Sequence, residues 1–457
     1  MTGDRPALVR GVGLLGAVAV NVISMIGIGP LITIPLVLGA LHGPLSLVGW
    51  LLGALLAMCD GLVWAELGSA YPRSGGTFGY LLAIFSNTRL GAFPAFLFVW
   101  MTIFTAPLTV ASGYIAFANY AGYLVPQLAA SWLALKLLAV GVGIVTLVAL
   151  YRGIKTIERV SIALGAIAVL TLLCVTFAGF AHWSPHLAFT IAPHDSFWSG
   201  LRAGLGSALV IAMYDYIGYN AANTIADEVL SPARTLPRAI VIAITLVAAL
   251  YVTMQTGVLG AIPWQQYVPL ADGSLPPLGQ HLASSIVEHV AGVPAAIGVT
   301  ILILITAFAS VYGVLLNSSR IPYAAARDGL FFGAFSHLNR KHRFPDVSLV
   351  VMGLIALVAC AFTLDEVINA LLAGIVLAQS VAQIVALFVM RGRGVRAPYR
   401  MWLYPLPASI ALAGWIFVFC SAGERPMIFG VGTLGAGALV YIVTRRTLKG
   451  HARSNSP

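Results

Sequence analysis

The sequence predicts an all-α polytopic membrane protein with twelve transmembrane helices, and three observations predict it. Of 457 residues, 60% are hydrophobic and only 9% are charged, where a soluble domain has roughly 25% charged. So few charges cannot cover a water-facing surface of this length, which excludes an ordinary soluble enzyme and a disordered chain. Twelve apolar stretches each supply the roughly 20 residues that a spanning helix needs. The basic residues, finally, fall almost wholly in alternate loops.

In chain order the stretches lie near 9–39, 44–70, 91–120, 131–150, 158–181, 200–225, 238–261, 293–319, 346–364, 366–390, 402–422 and 427–444. The first is too long for a signal peptide and lacks a small-residue cleavage site after a short apolar core, so it reads as a retained helix. Between the ninth and tenth, only Asp365 and Glu366 mark a turn. Of 25 Lys and Arg, only Lys136, Arg202 and Arg425 fall on one side, leaving 22 on the other. An even helix count then places both termini in the cytoplasm. The net charge of +10 belongs to cytoplasmic loops and not to a nucleic-acid surface. Arg outnumbers Lys and Ala, Gly and Leu are abundant, which points to a bacterial source and its inner (cell) membrane. Cys59, Cys174, Cys360 and Cys420 lie in separate apolar runs, a pattern without a disulfide or zinc framework.

Two of the helices are interrupted. The first contains Met25-Ile26-Gly27-Ile28-Gly29-Pro30 near its middle. Its glycines permit unwinding, and Pro30 suits the first turn of a second half-helix. The sixth contains Tyr214-Asp215-Tyr216-Ile217-Gly218-Tyr219-Asn220, again with a central glycine. The breaks are about 190 residues apart, each in the first helix of a five-helix block. One glycine pair alone is ordinary helix packing, as in Gly49-x-x-x-Gly53; matched breaks are the mark of inverted repeats around a midplane site. That divides the chain into a first repeat at 1–199, a second at 200–395 and two further helices with a tail at 396–457. Half-helix N-termini favour an anion and freed carbonyls a cation. A zwitterion such as an amino acid carries both charges.

Four segments resemble the amino acid–polyamine–organocation superfamily, in its amino-acid permease branch. They are the Gly27-Ile28-Gly29 break; Ala65-Glu66-Leu67-Gly68-Ser69-Ala70-Tyr71-Pro72-Arg73-Ser74-Gly75-Gly76; Gly218-Tyr219 through Ala226-Asp227-Glu228-Val229 to Pro232, Arg234, Leu236, Pro237, Arg238 and Ala239; and Ser319-Arg320 through Ala326-Arg327-Asp328-Gly329. The resemblance implies a leucine-transporter-type fold, a 5+5 inverted repeat plus two helices, working by alternating access. It implies that a substrate carboxylate meets main-chain N–H groups around Gly27, Ile28 and Gly29. The amine would meet carbonyls near Ile26 and around Tyr214–Ile217, with Gly218 and Tyr219 completing the site, and Tyr214 aligns with the aromatic that covers the substrate. Four positions depart from the family: Ile28 stands for a small polar residue, Pro30 removes an N–H, Ala168 stands where some proton-coupled members carry a lysine, and Asp215 is charged where many are not.

A carboxylate at the bilayer centre costs roughly 2.5–3.5 kcal/mol on insertion scales, so each needs a reason. Asp215, beside the sixth-helix break, either meets the amine or a coupled proton, or caps the broken helix. Asp60 reads first as a hydrogen-bonded residue between helices and second as a proton relay. Glu66, nearer the cytoplasmic end, reads as a partner for a loop arginine in an inner gate. Asn21, Thr105, Ser112, Ser310, Asn317, Gln379 and Gln383 suit either a pathway lining or interhelical hydrogen bonds.

Two GxGxxG matches, at Gly11–Gly16 and Gly430–Gly435, lie in apolar spans and not in βαβ units, so no dinucleotide cofactor is expected. His182, His186 and His194 read as solvated loop histidines rather than a metal site. The expected partners are therefore a small-molecule substrate, a coupling proton and the bilayer. A secondary active amino-acid transporter is the leading reading. A polyamine or organic-amine carrier, suited by Asp215 and its neighbouring tyrosines, an exchanger, a ligand sensor and a membrane enzyme are the others.

Overall fold

The structure, a computed structural model, describes residues 11–72, 75–151, 157–190, 197–270, 274–339 and 344–454. Arg5, Arg10, Arg73, Ser74, Arg152, Lys155, His194, Arg340, Lys341 and Arg343 lie outside them. The described residues are overwhelmingly helical, with no β-sheet.

The first stretch folds as α1 (Leu14–Met25) and α2 (Gly29–Leu41), bent by 52° at the glycine pair. Pro30 sits in the first turn of α2, where its missing N–H leaves no helical bond unmade. There follow α3 (Ser46–Ala70), α4 (Gly76–Phe85), α5 (Phe93–Leu124), α6 (Trp132–Tyr151) and α7 (Ile157–Ala181). The sixth stretch gives α8 (Phe197–Tyr216), which ends at the expected break; a single helical turn, Ala221–Thr224, lies beyond it. Then come α9 (Pro232–Ala261), α10 (Leu282–Ser318), α11 (Arg320–Arg327), α12 (Asp346–Ala359), α13 (Leu364–Ile375), α14 (Val381–Gly392), α15 (Leu406–Ser421) and α16 (Glu424–Ser454).

Each of the twelve apolar stretches thus contains helix. By length and hydropathy, seven described helical segments can cross a membrane, or eight with the bent α1–α2 pair; four other apolar helices are shorter. The chain is a multi-pass, all-helical membrane protein. α3 packs along α9, α5 along α10, and α8 against α2 and α3, so both broken segments lie inside the bundle.

Several boundaries differ from the sequence reading. Within α10 the backbone leaves helical geometry at Gly292 (φ 80°, ψ 172°), so two helices adjoin there: the second begins where the eighth stretch was expected, near 293, and the first occupies a segment read as loop. The turn near Asp365 falls earlier than expected. α12 stops at Ala359, and Thr363 then opens α13 with a reciprocal cap, its hydroxyl accepting from the Glu366 N–H while Glu366 accepts from the Thr363 N–H. Helices α4 and α11 stand in segments read as loop. Between α13 and α14 a π-turn, Val376–Ser380, interrupts the apolar run two residues after Gly374.

Candidate functional site

The two breaks meet backbone to backbone. Gly218 adopts φ 126°, and a Cβ there would stand 2.6 Å from both the carbonyl carbon and the oxygen of Ser24. Glycine is therefore required twice over, by conformation and by space. Just past each break the chain is held from the neighbouring segment. Asn21 Oδ1, on α1, accepts from the Ala222 N–H at 2.8 Å and so caps the turn after α8. Leu230 N–H donates to Val12 O at 2.9 Å, pairing the two flanking segments.

Tyr251 of α9 joins the breaks on their other side. Its hydroxyl lies 2.9 Å from Met25 O and 3.2 Å from Asp215 O, so one buried group serves the frayed C-termini of both α1 and α8. Both carbonyls lie in the stretches, near Ile26 and around Tyr214–Ile217, where the resemblance implies contact with a substrate amine. Trp50 and Tyr216 pack on the Tyr251 ring, and Tyr216 donates to Trp50 O at 3.2 Å. Sequence reading passed over Tyr251, which sits in an otherwise apolar run and carries no motif. Tyr251→Phe keeps the ring and removes the shared hydroxyl; the expected loss is about 1–3 kcal/mol of unfolding stability for carbonyls left unpaired, read by thermal unfolding in detergent.

A cavity of about 300 Å³ opens at this junction. Of the expected site residues, Gly27, Ile28, Gly29, Tyr214, Asp215, Ile217 and Gly218 line it. Ile26 and Tyr219 are buried and do not. Asp215, 2% exposed, is the only Asp, Glu, Lys or Arg in the lining among the described residues. Its Oδ2 accepts from Thr33 Oγ1 at 2.5 Å, while Oδ1 has no hydrogen-bond partner among the described residues. A Cβ on Gly29 would stand 2.2 Å from that Oδ1, so the absent side chain is what admits the carboxylate to the start of α2. Tyr214 is fixed by a 2.7 Å hydrogen bond between its hydroxyl and Ser112 Oγ.

Thr105, Ser310 and Gln379 also line the cavity, Gln379 from the π-turn. Asn21 and Ser112 are committed to the hydrogen bonds already described, and Gln383 accepts from Thr77 at 3.1 Å. The remaining lining supplies methyl-bearing threonines and apolar side chains from α5, α10 and α13, such as Thr102, Val311 and Leu371. The cavity runs toward Ser318 and Ile321, at the end of the bundle expected to face the cytoplasm. On the opposite side, Tyr120 donates to Leu31 O at 2.8 Å, and Trp264 stacks on His42 at 5.9 Å.

Asp60 and Glu66 lie away from the cavity. Glu66, 1% exposed in its side chain, takes both arms of Arg391, Nε to Oε1 at 2.7 Å and NH2 to Oε2 at 2.6 Å. It also accepts from the Met401 N–H at 2.8 Å. The partner is thus an arginine at the end of α14, and the pair ties α3 to the segment that leads into α15.

Two broken helices, met at a small cavity with one carboxylate and unfolded backbone on both sides, define a substrate permease of the membrane. The chain belongs to the amino acid permease family, which it matches over residues 12–438, within the amino acid–polyamine–organocation superfamily. It is 25% identical to the branched-chain amino acid permease BcaP of Bacillus subtilis (strain 168), covering 97% of this chain and 95% of that one. It is 27% identical to the human large neutral amino acids transporter small subunit 2, covering 94% and 79%. A third relative, the aspartate-proton symporter of Bacillus subtilis (strain 168), is 26% identical over 67% of this chain and 58% of its own. The protein is accordingly an amino-acid transporter and not an enzyme.

Proposed function

We propose that this chain is a secondary active transporter that carries amino acids across a bacterial inner membrane by alternating access, with proton symport. The observation that carries the reading is the cavity at the two breaks, whose one acidic lining residue, among the described residues, is Asp215. The α-carboxylate of the substrate sits at the main-chain N–H groups of Gly27, Ile28 and Gly29, where the N-terminus of α2 offers its dipole. The ammonium lies toward the free Oδ1 of Asp215, and Tyr214 closes over it. The small volume and the methyl-bearing lining suit a compact side chain. Two inverted repeats, 1–199 and 200–395, rock around this point, helices eleven and twelve flank them in 396–457, and both termini face the cytoplasm. Similarity to the aspartate-proton symporter of Bacillus subtilis supports the proton as coupling ion.

The same carboxylate favours a second reading, a carrier of organic amines or polyamines. Ligand-induced stabilisation of the purified protein separates the two, since a ligand at 100 times its Kd adds about 2.7 kcal/mol. Free amino acids are expected to raise the unfolding temperature, while the matching amines without a carboxylate do not. Stabilisation by putrescine and spermidine alone would overturn the amino-acid reading.

A further inference from the structure

A second buried carboxyl has no part in the cavity. Asp60 of α3 is 1% exposed, and its Oδ2 accepts the Tyr219 hydroxyl at 2.6 Å. Its Oδ1 has no hydrogen-bond partner among the described residues. The titratable groups that face it are Tyr219, from the segment after α8, and its neighbour Cys59; the indoles of Trp64 and Trp415 face it from α3 and α15. Trp415 Nε1 does not reach hydrogen-bonding geometry and is itself unpartnered among the described residues. Among those residues the ion pairs engage Glu66 and Asp346, and no cation is paired with Asp60. A bare carboxylate with one phenol donor and no countercharge is costly at such a place. Its position matters as much as its burial. Tyr219 follows Gly218 directly, the point at which the sixth-helix break abuts Ser24. The Asp60–Tyr219 bond therefore joins α3 to the place where the two broken helices touch.

We propose that Asp60 is the binding site of the coupling proton, with Tyr219 reporting the position of the broken helices to it. This rests on the transporter reading above. While Tyr219 is docked, the proton stays on a carboxyl oxygen of Asp60, shielded from water. When the break shifts and Tyr219 withdraws, water reaches the group. The O–H bond breaks, the proton passes to that water, and the carboxylate remains hydrated; redocking reverses each step. Asp215 meets the substrate, so proton and substrate occupy separate carboxyls linked through one break.

Two measurements test this. Infrared difference spectra of the purified protein at neutral pH, before and after H/D exchange, are expected to show a protonated-carboxyl C=O stretch that Asp60→Asn removes. In proteoliposomes, the ratio of gradient-driven uptake to substrate exchange is expected to fall at least about tenfold in Asp60→Asn. Unchanged spectra, or an unchanged ratio, overturn the proposal. If Asp60→Asn does not fold, Tyr219→Phe keeps the ring, and a pH profile of uptake identical to wild type is then the overturning result. A wild type without amino-acid flux sinks the transport reading, whereas the infrared comparison still decides whether Asp60 holds a proton.

Discussion

Asp215→Asn is expected to weaken amino-acid binding by roughly 10–100-fold while leaving the fold intact. The substitution keeps the shape of the side chain, and its amide oxygen can still accept from Thr33, now at 2.5 Å from Oδ2. What it removes is the one carboxyl in the cavity lining, among the described residues, that can ionise against a substrate ammonium. A hydrogen bond to a charged group is worth about 1.5–3 kcal/mol, and each 1.4 kcal/mol is tenfold in affinity. The loss should appear in KM for uptake and equally in direct binding. A KM within about twofold of wild type would show that the ammonium does not meet Asp215. An unchanged KM together with lost gradient dependence would place the coupling proton on Asp215 and contradict its assignment to Asp60.

The second large effect concerns the Glu66–Arg391 pair, and it is asymmetric. Glu66 is 1% exposed and Arg391 18%. Arg391→Met leaves a carboxylate buried with only the Met401 N–H for company. Removing one partner of a buried pair typically costs about 3–5 kcal/mol, and this side of the pair is expected to reach that range. Glu66→Gln should cost less, because the guanidinium lies nearer water and rests on the Tyr404 ring, 3.9 Å from its centroid. The double variant Glu66→Leu with Arg391→Met should recover most of the loss, since an apolar pair avoids both desolvation costs. Unfolding in detergent measures all three. Equal costs for the two single variants, or no recovery in the double, would show that the pair is not the element that fixes this end of α3.

Much of this was legible because its causes are local. Gly27, Gly29 and Pro30 announce the bend between α1 and α2, since glycine and proline act on the backbone of their own residue. Gly218 marked the second break for the same reason. Apolar run length located helix in all twelve stretches. Partners could not be read this way. Nothing near Glu66 names Arg391, which is 325 positions away. Tyr251 serves Met25 and Asp215 from a third helix, and only the fold reveals that its hydroxyl is needed there. Asp60 was read first as an interhelical hydrogen-bond residue; the bond to Tyr219 agrees with that, while the orphaned oxygen gives the relay reading its weight. Gly292 and Pro294 marked a true boundary, as Gly218 did, whereas the helical turns before Gly292 carry no long apolar run and were read as loop.

The central claim is that one cavity at two broken helices carries an amino acid against its gradient at the expense of a proton gradient. Purified protein in liposomes, given an inward proton gradient and a panel of labelled amino acids, tests it most directly. The account predicts accumulation above the external concentration, collapse of that accumulation when a protonophore is added, and alkalinisation of the medium in step with uptake. Equilibration that ignores the gradient, with exchange alone surviving, would contradict it.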